Sequence, residues 1–200
     1  QRIANKEFTW KDDFKDLHPS PFGQEIYFQT IKTLLKNAAG QYRNESLVKS
    51  ILPAVQNKGY YGSGRYVSVD KATALKGFSV TPNWQPNDKA ETRARFVHVP
   101  VLEANQPGAS FSFTFTGNAA GIAIVAGPDA GMIKYSVDGK PDKVMDLYTQ
   151  WSGGLHLPWY LVLADGLPKG KHILKVQITA QKNKDSKGNA CRIVYFLVNE

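Results

Sequence analysis

Cysteine is nearly missing from this chain: of 200 residues only Cys191 carries a thiol, so no internal disulfide can form. The four histidines, His18, His98, His156 and His172, are scattered, and no Cys/His cluster has metal-site spacing. Neither a metal nor a cofactor is expected. Cys191 opens the apolar run that continues to Val198 and reads as a buried structural thiol. Long hydrophobic runs are missing too. The longest, such as Trp159 to Ala164, fall far short of the ~20 residues a bilayer-spanning helix needs, so no membrane span is expected. No N-terminal segment combines a basic start, an apolar run and a small-residue cleavage site. Three explanations stay open: the chain is not exported, a signal was removed, or the chain begins within a longer protein. Internal repeats and low-complexity tracts are absent as well.

An acidic balance is also lacking. Lysine and arginine number 25 against 17 acids, a net charge of +8. Between Lys169 and Arg192 seven bases face one acid, Asp185. Lys182, Lys184 and Lys187 fall in a Gly/Asn/Ser turn without interleaved aromatics, so the cluster reads as a solvated hairpin tip and no nucleic-acid partner is expected. What the chain does contain is apolar material for a packed core, 42% of residues with 12% aromatic. The length suits one sizeable domain, or a fragment plus one ordinary domain.

Residues 1 to 20 are polar and loop-like, with Phe8, Trp10 and Phe14 as anchors in need of packing partners. One clear helix follows. Ser20 suits its N-cap and Pro21 its first position, where the missing N–H would have had no partner. Phe22, Ile26, Tyr27, Ile31, Leu34, Leu35 and Ala38 follow the three-or-four spacing of a helix face, and Gly40 is expected to close the helix. That apolar face requires something to bury it. Residues 41–59 read as a linker framed by Pro53 and Gly59.

From residue 60 onward the pattern is of strands. Ser110 to Thr116 alternates serine or threonine with phenylalanine and is the cleanest half-buried strand. Further strands are expected at 65–69, 77–80, 94–99, 121–126, 132–137, 159–163, 172–180 and 191–198. Asp138-Gly139 is a strong hairpin signal, and Gly127-Pro128-Asp129, Asp165 to Gly170 and Asn183 to Asn189 are turns. About nine short strands with no helical period after Gly40 predict a mainly β fold, a β-sandwich of jelly-roll type over 60–200.

The chemistry-bearing stretch is Asp16-Leu17-His18-Pro19-Ser20-Pro21-Phe22-Gly23-Gln24-Glu25-Ile26-Tyr27. An imidazole acts as general base when an acceptor orients one ring nitrogen and the other faces a nucleophile. Asp16 stands on the same loop as His18, and Pro19 and Pro21 restrict the backbone beside it. On local features alone, His18 reads first as a solvent-exposed residue ahead of an ordinary helix.

This stretch, with the amphipathic helix after it, resembles the last sequence block of the SGNH, or GDSL, hydrolases. The resemblance implies that residues 1–40 are the closing loop and final helix of an α/β/α catalytic domain. His18 then matches the catalytic base and Asp16 the orienting acid, although the family usually carries Asp three residues before His, where this chain has Lys15. The family's Gly-Asp-Ser nucleophile block and its Gly and Asn oxyanion blocks do not occur in these residues; Gly117-Asn118 and Gly188-Asn189 sit in sandwich turns. All three blocks would precede residue 1, so the chain expressed alone is expected to be inactive. Phe111 to Gly117, Tyr135-Ser136-Val137-Asp138-Gly139, and Leu163 to Leu174 are similar to the jelly-roll domains attached to bacterial SGNH carbohydrate esterases.

Trp151, His156 and Trp159 lie in an aromatic loop leading into a strand. They could rim a sugar-binding cleft, or the tryptophans could cap the sandwich core. His98 and His172 read as structural strand residues, and Asp138, Asp165 and Asp185 as turn formers. Two functions follow. In the first, implied by the resemblance, the chain is the C-terminal portion of a serine esterase acting on acylated carbohydrate or another small ester. Its partner would be an upstream catalytic segment, and its location the periplasm or outside the cell. The alternative is a non-catalytic carbohydrate-binding or interaction sandwich.

Overall fold

A computed structural model describes residues 2, 4–14, 18–41 and 61–200. The chain divides into two compact units, Gln1–Val55 and Gln56–Glu200. Asp16, Lys15 and nearly all of the expected linker lie outside the described residues.

In the first unit a π-helical turn, Trp10–Phe14, precedes helix α1, Pro21–Gln41. Ser20 caps α1 as its sequence predicts: the Gly23 N–H donates to Ser20 Oγ at 3.3 Å, and the Gln24 N–H to the Ser20 carbonyl at 2.9 Å. Phe14 is buried among Phe8, Trp10 and Tyr27, with ring centroids 5.3, 4.6 and 5.6 Å away. α1 runs through Gly40, which therefore does not close it. Among the described residues nothing lies within 4 Å of a Cβ built there. Ile31, Leu34 and Leu35, on the face the periodicity marks as apolar, are 56, 67 and 63% exposed.

The second unit is the β-sandwich. Among its described residues the strands are β1 Gly64–Ser68, β2 Ala72–Lys76, β3 Ser79–Trp84, β4 Glu91–Thr92, β5 Val99–Ala104, β6 Ser110–Gly117, β7 Ala119–Ala126, β8 Met132–Val137, β9 Lys143–Asp146, β10 Leu155–Ala164, β11 Gly170–Ile178 and β12 Cys191–Asn199. Seven form one sheet in the order β3-β5-β12-β7-β10-β4, with β1 also paired to β12; five form the other, β2-β6-β11-β8-β9. The core lies between them. Phe111, Phe113 and Phe115 of β6 point inward and pack with Ile122, Ile124, Leu174, Val176 and Phe196. Phe113 stacks on Phe196 with centroids 4.0 Å apart. Asp138 and Gly139 turn the β8–β9 hairpin with φ of 54° and 71°, the pair of positive angles a type I′ turn requires.

β7 is buried along its whole length because the outer face of the seven-stranded sheet is also covered. Trp84 and Phe96 lie there against Val101, Ala123, Val125 and Val194. This second small core corrects the expected strand at 94–99. The chain turns there instead, with His98 at φ 59° and its N–H donating 2.7 Å to the Trp84 carbonyl, and the strand begins at Val99. The short alternation around Phe96 mimics a strand, whereas Phe96 serves as a plug. β7 and β10 approach closely at Gly121, where an added Cβ would sit 2.2 Å from the Leu161 carbonyl oxygen.

Candidate functional site

His18 is exposed, two residues ahead of the Ser20 cap. The segment from Pro19 onward is held from both sides. Ser20 Oγ donates to the Asp13 carbonyl, and Gln24 Nε2 donates to the Pro19 carbonyl at 3.1 Å. Gly23 makes the close packing possible: a Cβ there would meet the Phe14 ring and Pro19 at 2.9 Å each. Local chemistry thus fixes the backbone next to the imidazole. Asp16 belongs to the undescribed residues, so its side chain enters no geometric statement.

Trp151, His156 and Trp159 are not gathered on one surface. His156 and Trp159 are three positions apart on β10, which puts them on opposite faces of the strand. Trp151 and Trp159 are 58 and 38% exposed, while His156 is 2% exposed. Its ring packs edge-on against Trp84, centroids 5.6 Å apart, and Nε2 lies 3.0 Å from both carboxylate oxygens of Asp88. Gly127 leaves room for that ring, since a Cβ there would fall 2.2 Å from Nδ1.

Beside His156 the outer face of the sheet carries a polar cleft of about 560 Å³. Its floor comes from strand register: Glu103 on β5 stands opposite Ser79 on β3 and Arg192 on β12. Arg192 makes a bidentate pair with Asp129, with Nη1 and Nη2 each 2.7 Å from a carboxylate oxygen. Its Nε is 3.5 Å from Glu103 Oε2, and its guanidinium carbon lies 5.4 Å from the Trp84 ring centroid. Glu103 accepts from Thr81 Oγ1 at 2.6 Å and from Trp84 Nε1 at 3.1 Å. Burial alone would push the Asp129 carboxyl up, but the two bonds and the charge of Arg192 outweigh it and hold Asp129 below its ordinary value. Burial likewise works against the Arg192 cation, and Asp129 reverses the sign, leaving it above its ordinary value. Among the described residues no group of three or more His, Cys, Asp or Glu is placed to hold a metal ion.

This lattice was not foreseen from the sequence, where Arg192 counted as one of a basic cluster and Asp129 as a turn former. Its one local signal is the spacing of Ser79 and Thr81, polar residues on a single strand face ahead of a register shift between Thr81 and Trp84.

His172 is the other organised histidine. Nδ1 lies 2.6 Å from Asp138 Oδ2 and Nε2 2.8 Å from the Pro168 carbonyl, and the bond to Asp138 above all raises its pKa. The pair ties the β8–β9 turn to the start of β11.

The sequence matches no protein-family profile and no curated protein. The fold does have counterparts. It is similar to a two-domain esterase (CEX) active on acetylated mannans, with a TM-score of 0.71 at 15% identity over 100% of this chain and 53% of that one. A structure of such an esterase co-crystallised with mannopentaose gives a TM-score of 0.69 at 15% identity, over 100% and 52%. The chain therefore spans about half the length of the esterase chains it resembles. At this identity the likeness establishes the fold, a jelly-roll-like β-sandwich joined to a short helical unit.

Proposed function

We propose that the chain is the C-terminal portion of an SGNH-type serine esterase that removes acyl groups, acetyl foremost, from carbohydrate. The carrying observation is the Asp16-Leu17-His18-Pro19-Ser20-Pro21 block, set immediately before a capped helix, in a chain whose whole length follows one half of a mannan esterase. Residues 1–40 are then the closing loop and last helix of the catalytic domain, 41–59 the linker, and 60–200 the attached sandwich. The exposed Ile31, Leu34 and Leu35 suit a helix that completes a larger core.

In this reading His18 takes the proton of a serine hydroxyl as the oxygen attacks the ester carbonyl. It returns that proton to the departing sugar oxygen, and the cycle repeats with water on the acyl-enzyme. Asp16 holds the imidazole in the tautomer that accepts. The serine and the oxyanion donors come from sequence preceding Gln1, and the protein acts in the periplasm or outside the cell, where acylated polysaccharide is met.

Two measurements test it. The chain of 200 residues, expressed alone, should not hydrolyse p-nitrophenyl acetate; turnover abolished by a serine-directed phosphonate would sink the reading. In the longer natural protein His18→Ala should lower kcat by about three orders of magnitude or more, as loss of a triad base does. Near-normal turnover there would remove His18 from the mechanism. A second reading, a sandwich that binds carbohydrate without catalysis, is favoured by the polar cleft on its outer face.

A further inference from the structure

We infer that the cleft over Glu103, Asp129 and Arg192 is a binding site for a neutral, hydroxyl-rich ring, a pyranose unit of a carbohydrate. The inference does not rest on esterase activity, and it places the sugar away from Trp151 and Trp159.

Size is the first support: about 560 Å³ falls within the range of small-ligand sites and is far too roomy for a bare ion. The second is the balance of donors and acceptors. Arg192 is already spent on Asp129, so the floor offers no free cation to an anion. A carboxylate has about four lone-pair sites, and Glu103 uses its oxygens on Thr81 and Trp84 with capacity left over. That surplus suits the O–H donors of a sugar. Asn83 and Asn105, exposed along the rim, both donate and accept, matching hydroxyls that do the same.

Pre-organisation is the third support. Glu103 is fixed by a hydroxyl, an indole and a neighbouring guanidinium before any ligand arrives, so little ordering remains to be done on binding. Among the described residues, the two buried side-chain nitrogens without a hydrogen-bond partner, His156 Nδ1 and Arg192 Nε, both belong to residues lining this cleft. One cation against two carboxylates also leaves the floor net negative, which selects neutral sugars over uronic acids.

The test uses the full chain, labelled with nitrogen-15 and titrated to about 10 mM with mannopentaose, cellohexaose and trigalacturonic acid, a range that captures millimolar binding. Saturable shifts are expected from a neutral oligosaccharide at the Trp84 indole N–H, whose acceptor Glu103 is shared with the ligand, and not from the acidic sugar. Affinity should fall at least about fivefold in Asn83→Ala/Asn105→Ala, as expected for loss of ordinary hydrogen bonds. Glu103→Gln should weaken binding as well, with amide signals away from the cleft unchanged in both variants. Saturable binding of neither neutral sugar would overturn the inference. So would binding that leaves Trp84 unmoved, survives both variants, or shifts the Trp151 and Trp159 indoles instead.

Discussion

Replacing Arg192 with methionine separates the ionic content of the lattice from its packing. The side chain is 12% exposed, and methionine keeps the apolar stem against Trp84 while deleting both bonds to Asp129 and the neighbour of Glu103. Removing one partner of a fully buried pair costs about 3–5 kcal/mol. Asp129 and Glu103 are 35 and 28% exposed, so water recovers part of the loss. With that screening the expected cost is about 2 kcal/mol at pH 7, or a fall in Tm of ~6 °C for a unit of this size.

The sign with pH follows from the lowered pKa of Asp129. In the parent protein the stabilisation is present above the unfolded Asp value, about 3.9, and is lost as pH falls through the depressed folded value. In Arg192→Met the burial that pushes Asp129 upward loses its two largest counterweights and is opposed only by a backbone hydrogen bond and His156, so the carboxylate charge costs stability at neutral pH and this penalty fades as the carboxyl takes up a proton. The gap between the two proteins should therefore narrow from pH 7 to about pH 3.5. Urea unfolding followed by tryptophan fluorescence measures it at both. A gap of equal size at both pH values would refute an ionic origin; a gap near zero at pH 7 would refute the lattice itself.

Three further outcomes are expected. Gly121→Ala drives a Cβ to 2.2 Å from the Leu161 carbonyl at the centre of the sheet, and a loss of more than about 3 kcal/mol, read by urea unfolding, is the expected result; a loss under 1 kcal/mol would show that β7 and β10 can part there. The raised pKa of His172 means its contribution is fully present below about 6.5 and is lost as pH rises through the folded value, so His172→Gln should flatten the fall in Tm between pH 6 and about 9. An unchanged pH profile in that variant would remove the Asp138 pair as its cause. Burial pushes the Cys191 thiol up to about 12, so dithiobis(nitrobenzoic acid) should leave it unmodified in the folded protein and react fully in guanidinium; rapid native labelling would contradict a buried β12.

Features governed by neighbours in the chain were legible from sequence. The Ser20 cap, the phenylalanine alternation of β6 and the Asp138-Gly139 turn are each decided within a few residues. Phe96 was misread because its fate depends on Ala123 and Val194, small and β-branched residues on distant strands that leave it a place on the outer face. Gly40 was misread because glycine permits a helix end without requiring one. The polar lattice was invisible for a related reason: Thr81, Glu103, Asp129 and Arg192 come from four separate segments, brought together by strand register and by the turn after β7. His18 is the opposite case. Its motif was readable at once, while the role proposed for it depends on groups the described residues do not include.

The position of β12 in the sheet has a consequence for how the sandwich is made. This strand bonds to β7 on one side, and on the other to β5 over Cys191–Ile193 and to β1 over Tyr195–Asn199. It is the seam of its sheet, and it follows the other described strands in chain order. On a ribosome β1, β5 and β7 all emerge before the strand that joins them, so they wait with open edges and an uncovered apolar β7 until residues 191–199 have left the exit tunnel. Assembly of the sheet is thus postponed until β12 has been made. A cut that removed those nine residues would not trim an edge but would part β3-β5 from β7-β10-β4 and take away the strand that β1 pairs with.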